Sequence, residues 1–255
     1  MNTAESPFIR SIMLYGEEGF FRLQHSFVTI IGMGGVGAYA AEALVRSGLG
    51  KIRIVDCDII KTSDINRQLL ALSTTLGLPK VVAAKERLHA INPHLIIDCC
   101  HSFFHSDTKD DLITADVHMV IDAIDSLNPK IELIKHCIDQ NIPFISVMGA
   151  AGRIDPFQIH VSMLSETMNC SLARAVRRRL NKHGISAKVP VIFSEEIPCK
   201  CHADLAHQMT TEATETSGTY LRGRFRQAIP SIATLPAIFG LIAANYVITH
   251  LLQKS

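Results

Sequence analysis

Several features are missing from this 255-residue chain, and each absence narrows its class. No internal repeat or long low-complexity tract is apparent, which speaks against a repeat array or a fibrous protein. A strong net charge is absent too, the balance being +1. Seven cysteines, an odd number at irregular spacings, do not make a disulfide framework and point to a reducing cytoplasm. The pattern of a secretory signal is also absent, because Glu5, Arg10, Glu17, Glu18 and Arg22 are scattered through residues 1–27. An uninterrupted membrane span is lacking as well. Residues 232–252 approach the length of one, but Pro236, Gly240, Asn245, Thr249 and His250 interrupt them, so the stretch reads as a buried core or dimer helix.

What is present fits one large α/β domain with an ample core, since 47% of the residues are hydrophobic. The organisation expected is a single domain over 1–255, with a nucleotide-binding half at 1–150 and a substrate-side, closing half at 151–255. Charge is divided unevenly between the halves. Residues 1–150 hold 13 Lys and Arg against 17 Asp and Glu, a net −4; residues 151–255 hold 12 against 7, a net +5. The second half is the better candidate for an anionic partner.

Strand-like runs at 28–31, 52–55, 95–98 and 117–121 alternate with helical stretches at 38–48, 80–91 and 129–140. This alternation predicts a Rossmann-like parallel sheet with crossover helices. Further strands are read at 144–148, 158–163 and 189–193, and a helix at 172–182 with Leu172, Ala173, Val176 and Leu180 on one face. Residues 198–223 are polar and threonine-rich and read as a long loop. The apolar C-terminal helix then closes the domain.

The first strand feeds Gly32-Met33-Gly34-Gly35-Val36-Gly37, and a helix follows. Strand, glycine turn and helix in that order are the context of a nucleotide-binding loop. Gly32, Gly34, Gly35 and Gly37 let backbone approach a phosphate, and the helix start offers unpaired N–H groups. The second strand ends at Asp56, placed to accept from a ribose. These features alone fit a dinucleotide site equally well. Arg67, in Asp64-Ile65-Asn66-Arg67-Gln68, and Lys80, at a helix start, have no place in that fingerprint. A lysine there opposes the helix dipole unless an anion is near, and neither cation is read as a core position. Two cations for a polyphosphate, with Asp125 at a strand end as a carboxylate for magnesium, point to ATP.

The stretch through Asp125 resembles the adenylating superfamily of ubiquitin-activating enzymes and bacterial sulfur-carrier activators. The matching pieces are Arg10, the glycine loop, Asp56-Cys57-Asp58, Asn66-Arg67-Gln68, Lys80 and Asp122-Ala123-Ile124-Asp125. The resemblance implies that the glycines and Asp56, with Asp58 and Asn66 beside them, hold ATP. It further implies that Arg67 and Lys80 grip the phosphates, that Asp125 binds magnesium, and that Arg10 reaches the partner's ATP across a homodimer. Asp64 departs from the family pattern, which commonly has asparagine there.

A narrower resemblance runs nearly the whole length. Phe8-Ile9-Arg10, Leu14-Tyr15-Gly16-Glu17, Ile154-Asp155-Pro156, Phe193-Ser194-Glu195-Glu196 and Pro230-Ser231 look like the family of tRNA threonylcarbamoyladenosine dehydratases. That family implies a modified tRNA adenosine beside the anticodon as substrate. Its carboxylate attacks the α-phosphate of ATP, releasing pyrophosphate, and an intramolecular nucleophile then closes a ring and expels AMP. A sulfur-transfer protein is a candidate further partner. The alternative is adenylation of a ubiquitin-like sulfur carrier's C-terminus, disfavoured because the Cys-x-x-Cys pairs common in those activators are absent.

Three further groups remain. Cys199, Cys201, His202 and His207 read as free thiols in a loop, with a zinc site as the rival, since Cys-x-Cys is tighter than usual ligand spacing. Arg177, Arg178 and Arg179 read as a solvated helix face. Arg222, Arg224 and Arg226 around Phe225 suit phosphate contacts with base stacking.

Overall fold

The computed structural model describes residues 6–199 and 229–253. Its centre is a seven-stranded sheet of order β3-β2-β1-β4-β5-β7-β6. The strands are β1 (Phe27–Ile31), β2 (Lys51–Val55), β3 (Ile96–Cys100), β4 (Met119–Asp122), β5 (Phe144–Val147), β6 (Ile159–Met163) and β7 (Pro190–Ser194). All neighbours pair in parallel except β6, which runs antiparallel to β7. The predicted parallel sheet with added strands is therefore present.

Parallel strands need crossovers, and α2 (Gly37–Arg46), α3 (Lys80–Ile91), α4 (Lys109–Leu112) and α5 (Leu127–Asp139) lie in them; α1 (Ile9–Gln24) precedes β1, α6 (Ser171–Lys182) links β6 to β7, and α7 (Thr234–Gln253) follows the sheet. Every residue of β1, β4 and β5 is buried, which explains their largely apolar sequences. Val28, Ile30, Ile52, Ile54, Met119 and Ile121 meet α2, α3 and α7 in one core. Phe27, Ile31, Val120, Val191 and Phe193 meet α5 and α6 in the other.

Two helices correct or sharpen the sequence reading. The N-terminal segment carries no helical expectation, yet it forms α1, kinked where Gly16 takes φ 72°. Phe20 and Leu23 are buried while Met13 and Leu14 are 79% and 78% exposed. The last helix, α7, is long and apolar enough to cross a membrane, with a mean hydropathy of 1.7. Here it packs chiefly on α2 and also touches α1, burying Leu235, Phe239, Ala243, Val247 and Leu251. Gly240 permits that approach, because a Cβ there would lie 2.3 Å from the Val36 carbonyl oxygen.

The strand order places β1 between β2 and β4, whose crossovers leave in opposite directions. Ile31 is level with Val55 on one side and Asp122 on the other. The crevice beyond these carboxyl ends is where open α/β sheets bind ligands.

Candidate active site

The glycine turn sits at that crevice. Gly32 takes φ 98° and donates its N–H to the Val55 carbonyl oxygen at 2.8 Å. A Cβ on Gly32 would stand 2.8 Å from the Ala123 oxygen, and one on Gly37 only 1.8 Å from the Gly32 oxygen. The turn is thus closed too tightly for any side chain at either position. A Cβ on Gly35 would meet the Arg67 carbonyl oxygen and Pro236 at 3.2 Å, whereas one on Gly34 would come no nearer than 3.9 Å to the Gln68 amide nitrogen. Val36 offers no side-chain cap to α2; of its first-turn amides, Ala38 N donates to the Gly34 carbonyl oxygen at 3.3 Å, and the helix start turns its positive dipole end to the crevice.

Asp56 is locked under the turn. Its Oδ2 accepts from Met33 N at 2.6 Å and its Oδ1 from Asp58 N at 2.8 Å. Burial pushes its carboxyl above the ordinary value, although Lys80 and the two amides pull the other way. Lys80 is the first residue of α3, and Asp58 is the anion that offsets its placement against the dipole. Its Nζ lies 2.9 Å from Asp58 Oδ2. Contrary to the sequence expectation, Lys80 is a buried residue at 5% exposure. Burial lowers its pKa, but Asp56 and Asp58 outweigh that and hold it above the usual lysine value. Burial likewise raises Asp58, yet the Lys80 charge and hydrogen bond bring its carboxyl below the ordinary value. The side-chain ligand atoms of Asp56, Cys57 and Asp58 lie within 4.8 Å of one another. Burial and the two carboxylates push the Cys57 thiol up to about 11, so it is protonated at neutral pH.

Asp64 organises the next segment. Its buried carboxylate accepts from Gln68 Nε2 at 2.6 Å, Lys61 N at 3.0 Å and Arg67 Nη2 at 3.4 Å. Arg67 also donates to Ser63 O and Asn66 Oδ1, and Asn66 donates to Ser231 O at 3.1 Å. The aspartate that departs from the family pattern is therefore a brace for the turn carrying Arg67.

On the other side of Gly32, Asp122 ends β4 with its side chain fully buried. Lys130 Nζ, equally buried, sits 2.7 Å from Asp122 Oδ2 and also donates to Ser146 Oγ and Val147 O. Ser146 donates to the same Asp122 oxygen at 2.5 Å, and Asp122 Oδ1 accepts from Ile124 N. That last bond fixes the turn that carries the exposed Asp125. Sequence reading missed Lys130 and Ser146. The available signal was a cation on the buried face of a helix whose next turns are Ile134 and Cys137.

The glycine turn, Asp56, Asp58 and Lys80 thus form one cluster, with Arg67 beside Gly35 and the Asp122–Asp125 turn beneath Gly32. Arg10 stands apart: it is exposed on the first turn of α1. A cavity of about 420 Å³ lined by Arg46, Leu70, Ala83, Arg87 and Ile91 contains none of the predicted site residues.

The remaining motifs meet at the same sheet edge. Glu196 accepts from the amides of Ile154 and Asp155 at 2.9 Å, so two motifs separated in sequence form one brace. Asp155 caps Phe157 N, and Glu195 lies 3.7 Å from His160. The buried Arg153, also missed, donates to Gly149, Ala151, Asn169 and Glu196 carbonyls. Gly152 N donates to Pro230 O, and Gly152 O accepts from Cys199 N, both at 2.7 Å. Arg177 is no solvated residue: it donates to Leu164 O, Thr167 O and Thr167 Oγ1, while Arg178 and Arg179 are exposed as expected. Cys199 is exposed; Cys201, His202, His207, the polar loop and the Arg222, Arg224 and Arg226 cluster lie outside the described residues.

Residues 8–255 match the model of the ThiF family. The chain belongs to the ThiF family. Among ThiF-type relatives, the tRNA threonylcarbamoyladenosine dehydratase of Bacillus subtilis is 37% identical, over 96% of this chain and 94% of its own length. Crystal structures of Escherichia coli tRNA N6-threonylcarbamoyladenosine dehydratase, TcdA, superpose with TM-scores of 0.86 in complex with AMP and 0.83 in complex with ATP. Both are 29% identical and cover 98% of this chain and 96% of that one. By contrast, the molybdopterin-synthase adenylyltransferase of Salmonella typhimurium matches 63% of the chain, at 33% identity over 64% of its own length.

Proposed function

We propose that this ThiF-family chain is an ATP-dependent tRNA threonylcarbamoyladenosine dehydratase. The observation that carries the reading is a likeness to named dehydratases that extends over both halves of the chain. The likeness to a carrier-protein activator is confined to about two thirds of it. We read 1–255 as one functional domain, nucleotide at the first half and tRNA at the second.

Two anions, a carboxylate and a triphosphate, must meet, so fixed positive charge is the principal need. Gly32 and Gly37 close the turn tightly, and the backbone N–H groups of Gly34 and Gly35, at the start of α2, receive phosphate oxygens. Asp56 and Asn66 take the nucleoside side. Lys80, held charged by its carboxylate neighbours, exchanges Asp58 for phosphate, and Arg67 turns from Asn66 and Ser63 to the same end. The attacking carboxylate is already ionised at neutral pH and needs no general base. It displaces pyrophosphate from the α-phosphorus, and the adenylate then loses AMP as the ring closes. The closure is intramolecular and needs no covalent enzyme intermediate.

Magnesium fits the donors present: Asp125 is an exposed hard-oxygen ligand at the crevice, and magnesium typically takes one or two carboxylates together with substrate phosphates. When bound, it neutralises charge on the triphosphate. A homodimer, in which Arg10 completes the partner's site, is supported by the exposure of Arg10 and of Met13 and Leu14 on the same helix. The free cysteines favour the cytoplasm. A sulfur-transfer partner is carried on family likeness alone.

The test is ATP–pyrophosphate exchange with threonylcarbamoylated tRNA, followed by carrier proteins. Exchange that depends on the tRNA, with cyclised nucleoside recovered, supports the reading. Exchange driven only by a carrier protein replaces it with the activator.

A further inference from the structure

We infer that the outer face of α6 is a track for the phosphate backbone of the tRNA, with Arg174, Arg178 and Lys182 as its contacts. This rests on the dehydratase reading and adds to it a surface outside the crevice. Between Glu166 and Glu195 the sequence has no carboxylate, yet it holds Arg174, Arg177, Arg178, Arg179, Lys182 and Lys188. Ala173, Val176 and Leu180 fix the inner face of α6 in the core, and Arg177 is spent on Leu164 and Thr167. Arg174, Arg178, Arg179 and Lys182 are exposed. Among the described residues none of these four is ion-paired.

Positions 174, 178 and 182 lie four apart, so they form one stripe with a rise of about 6 Å between successive cations. Like charges so arranged repel, and a polyanion laid along them removes the repulsion. The stripe is also joined to the site. Asn169, just before α6, donates to Glu195 O at 2.7 Å, and Cys170 Sγ would lie 3.6 Å from a Cβ on Gly149, two residues beyond β5. The helix therefore starts at the carboxyl edge of the sheet, where the glycine turn lies, and runs away from it. A tRNA whose adenosine enters the crevice has flanking backbone to lay over such a surface. A carrier-protein tail brings no row of phosphates.

The test compares the native protein with the Arg174→Glu/Arg178→Glu/Lys182→Glu variant. Affinity for threonylcarbamoylated tRNA is measured across salt concentrations, and ATP affinity is measured separately. The variant is expected to bind tRNA at least about tenfold more weakly, and its log–log salt slope to fall by about 2 to 3, as for three lost phosphate contacts. ATP affinity stays unchanged and reports the fold; should the glutamate variant lose it, the triple alanine variant supplies the slope. Exchanging Arg174 and Arg178 for Lys and Lys182 for Arg preserves tRNA binding. A native affinity and slope in the charge-changed variant overturns the track while leaving the dehydratase reading intact. So does a defect that appears only with a carrier protein. Absence of tRNA binding in the native protein overturns both.

Discussion

Lys130 and Asp122 stand 2.7 Å apart with both side chains wholly withdrawn from solvent. Two charges so deep are tolerated only because each is saturated: the ammonium by Asp122, Ser146 and Val147, the carboxylate by Lys130, Ser146 and Ile124. The pair sits at the end of β4, directly behind the turn that presents Asp125.

Removing one partner leaves an uncompensated buried charge. Lys130→Ala is expected to cost about 3–5 kcal/mol, read as a lower denaturation midpoint. The double variant Lys130→Met/Asp122→Leu should recover most of that loss. Equal instability of the double and single variants would show that packing, and not charge, dominates here.

Lys80→Ala and Arg67→Ala should each abolish turnover. Loss of a charge-assisted phosphate contact removes roughly 2–4 kcal/mol of transition-state stabilisation. Because Lys80 is buried, Lys80→Met is the better-packed control, with circular dichroism as the check on folding. Near-normal activity in folded variants would displace both residues from the site.

The Lys80–Asp58 pair also sets a pH dependence. The lowered Asp58 pKa stabilises the fold above its ordinary value of 3.8, and that contribution is lost as pH falls through the folded-state value. The raised Lys80 pKa stabilises below 10.5 and is lost as pH rises through its own folded value. Urea titrations of native protein and Lys80→Met should therefore converge in acid and in strong base, and differ most near neutrality. A pH-independent difference would mean that the pair contributes by packing alone.

An Arg10→Ala chain mixed with a Lys80→Ala chain should regain activity, because one site of the hybrid dimer then holds both intact groups. A mixture as inactive as its parents, despite verified subunit exchange, would remove Arg10 from the neighbouring site.

Neutralising Arg222, Arg224 and Arg226 should weaken tRNA binding and flatten its salt dependence while sparing ATP. An unchanged slope would assign that cluster elsewhere.

The central strands were legible because both their faces are buried, so β1, β4 and β5 are largely apolar and bounded by turns. The span of α3 was read to the residue, 80–91, since Pro79 and Asn92-Pro93 punctuate it. By contrast, α1 was hidden: its apolar and charged residues mix, and Gly16 breaks the period midway. Gly32, Asp56 and Lys80 could be placed by spacing from strand ends. The roles of Asp64, Lys130 and Arg153 could not, because each depends on partners that only the tertiary fold delivers. Burial of Lys80 escaped notice for the same reason, its counter-charge being 22 positions away.

Gly152 has a topological consequence. Its N–H is taken by Pro230 and its carbonyl by Cys199, so a single residue clamps both ends of residues 200–229. The two ends are therefore held close together by one residue, and closure entropy grows only slowly with loop length. Gly152 takes φ 74°, and a Cβ there would stand 3.2 Å from Pro198, so a side chain at this one position would strain both anchor points at once.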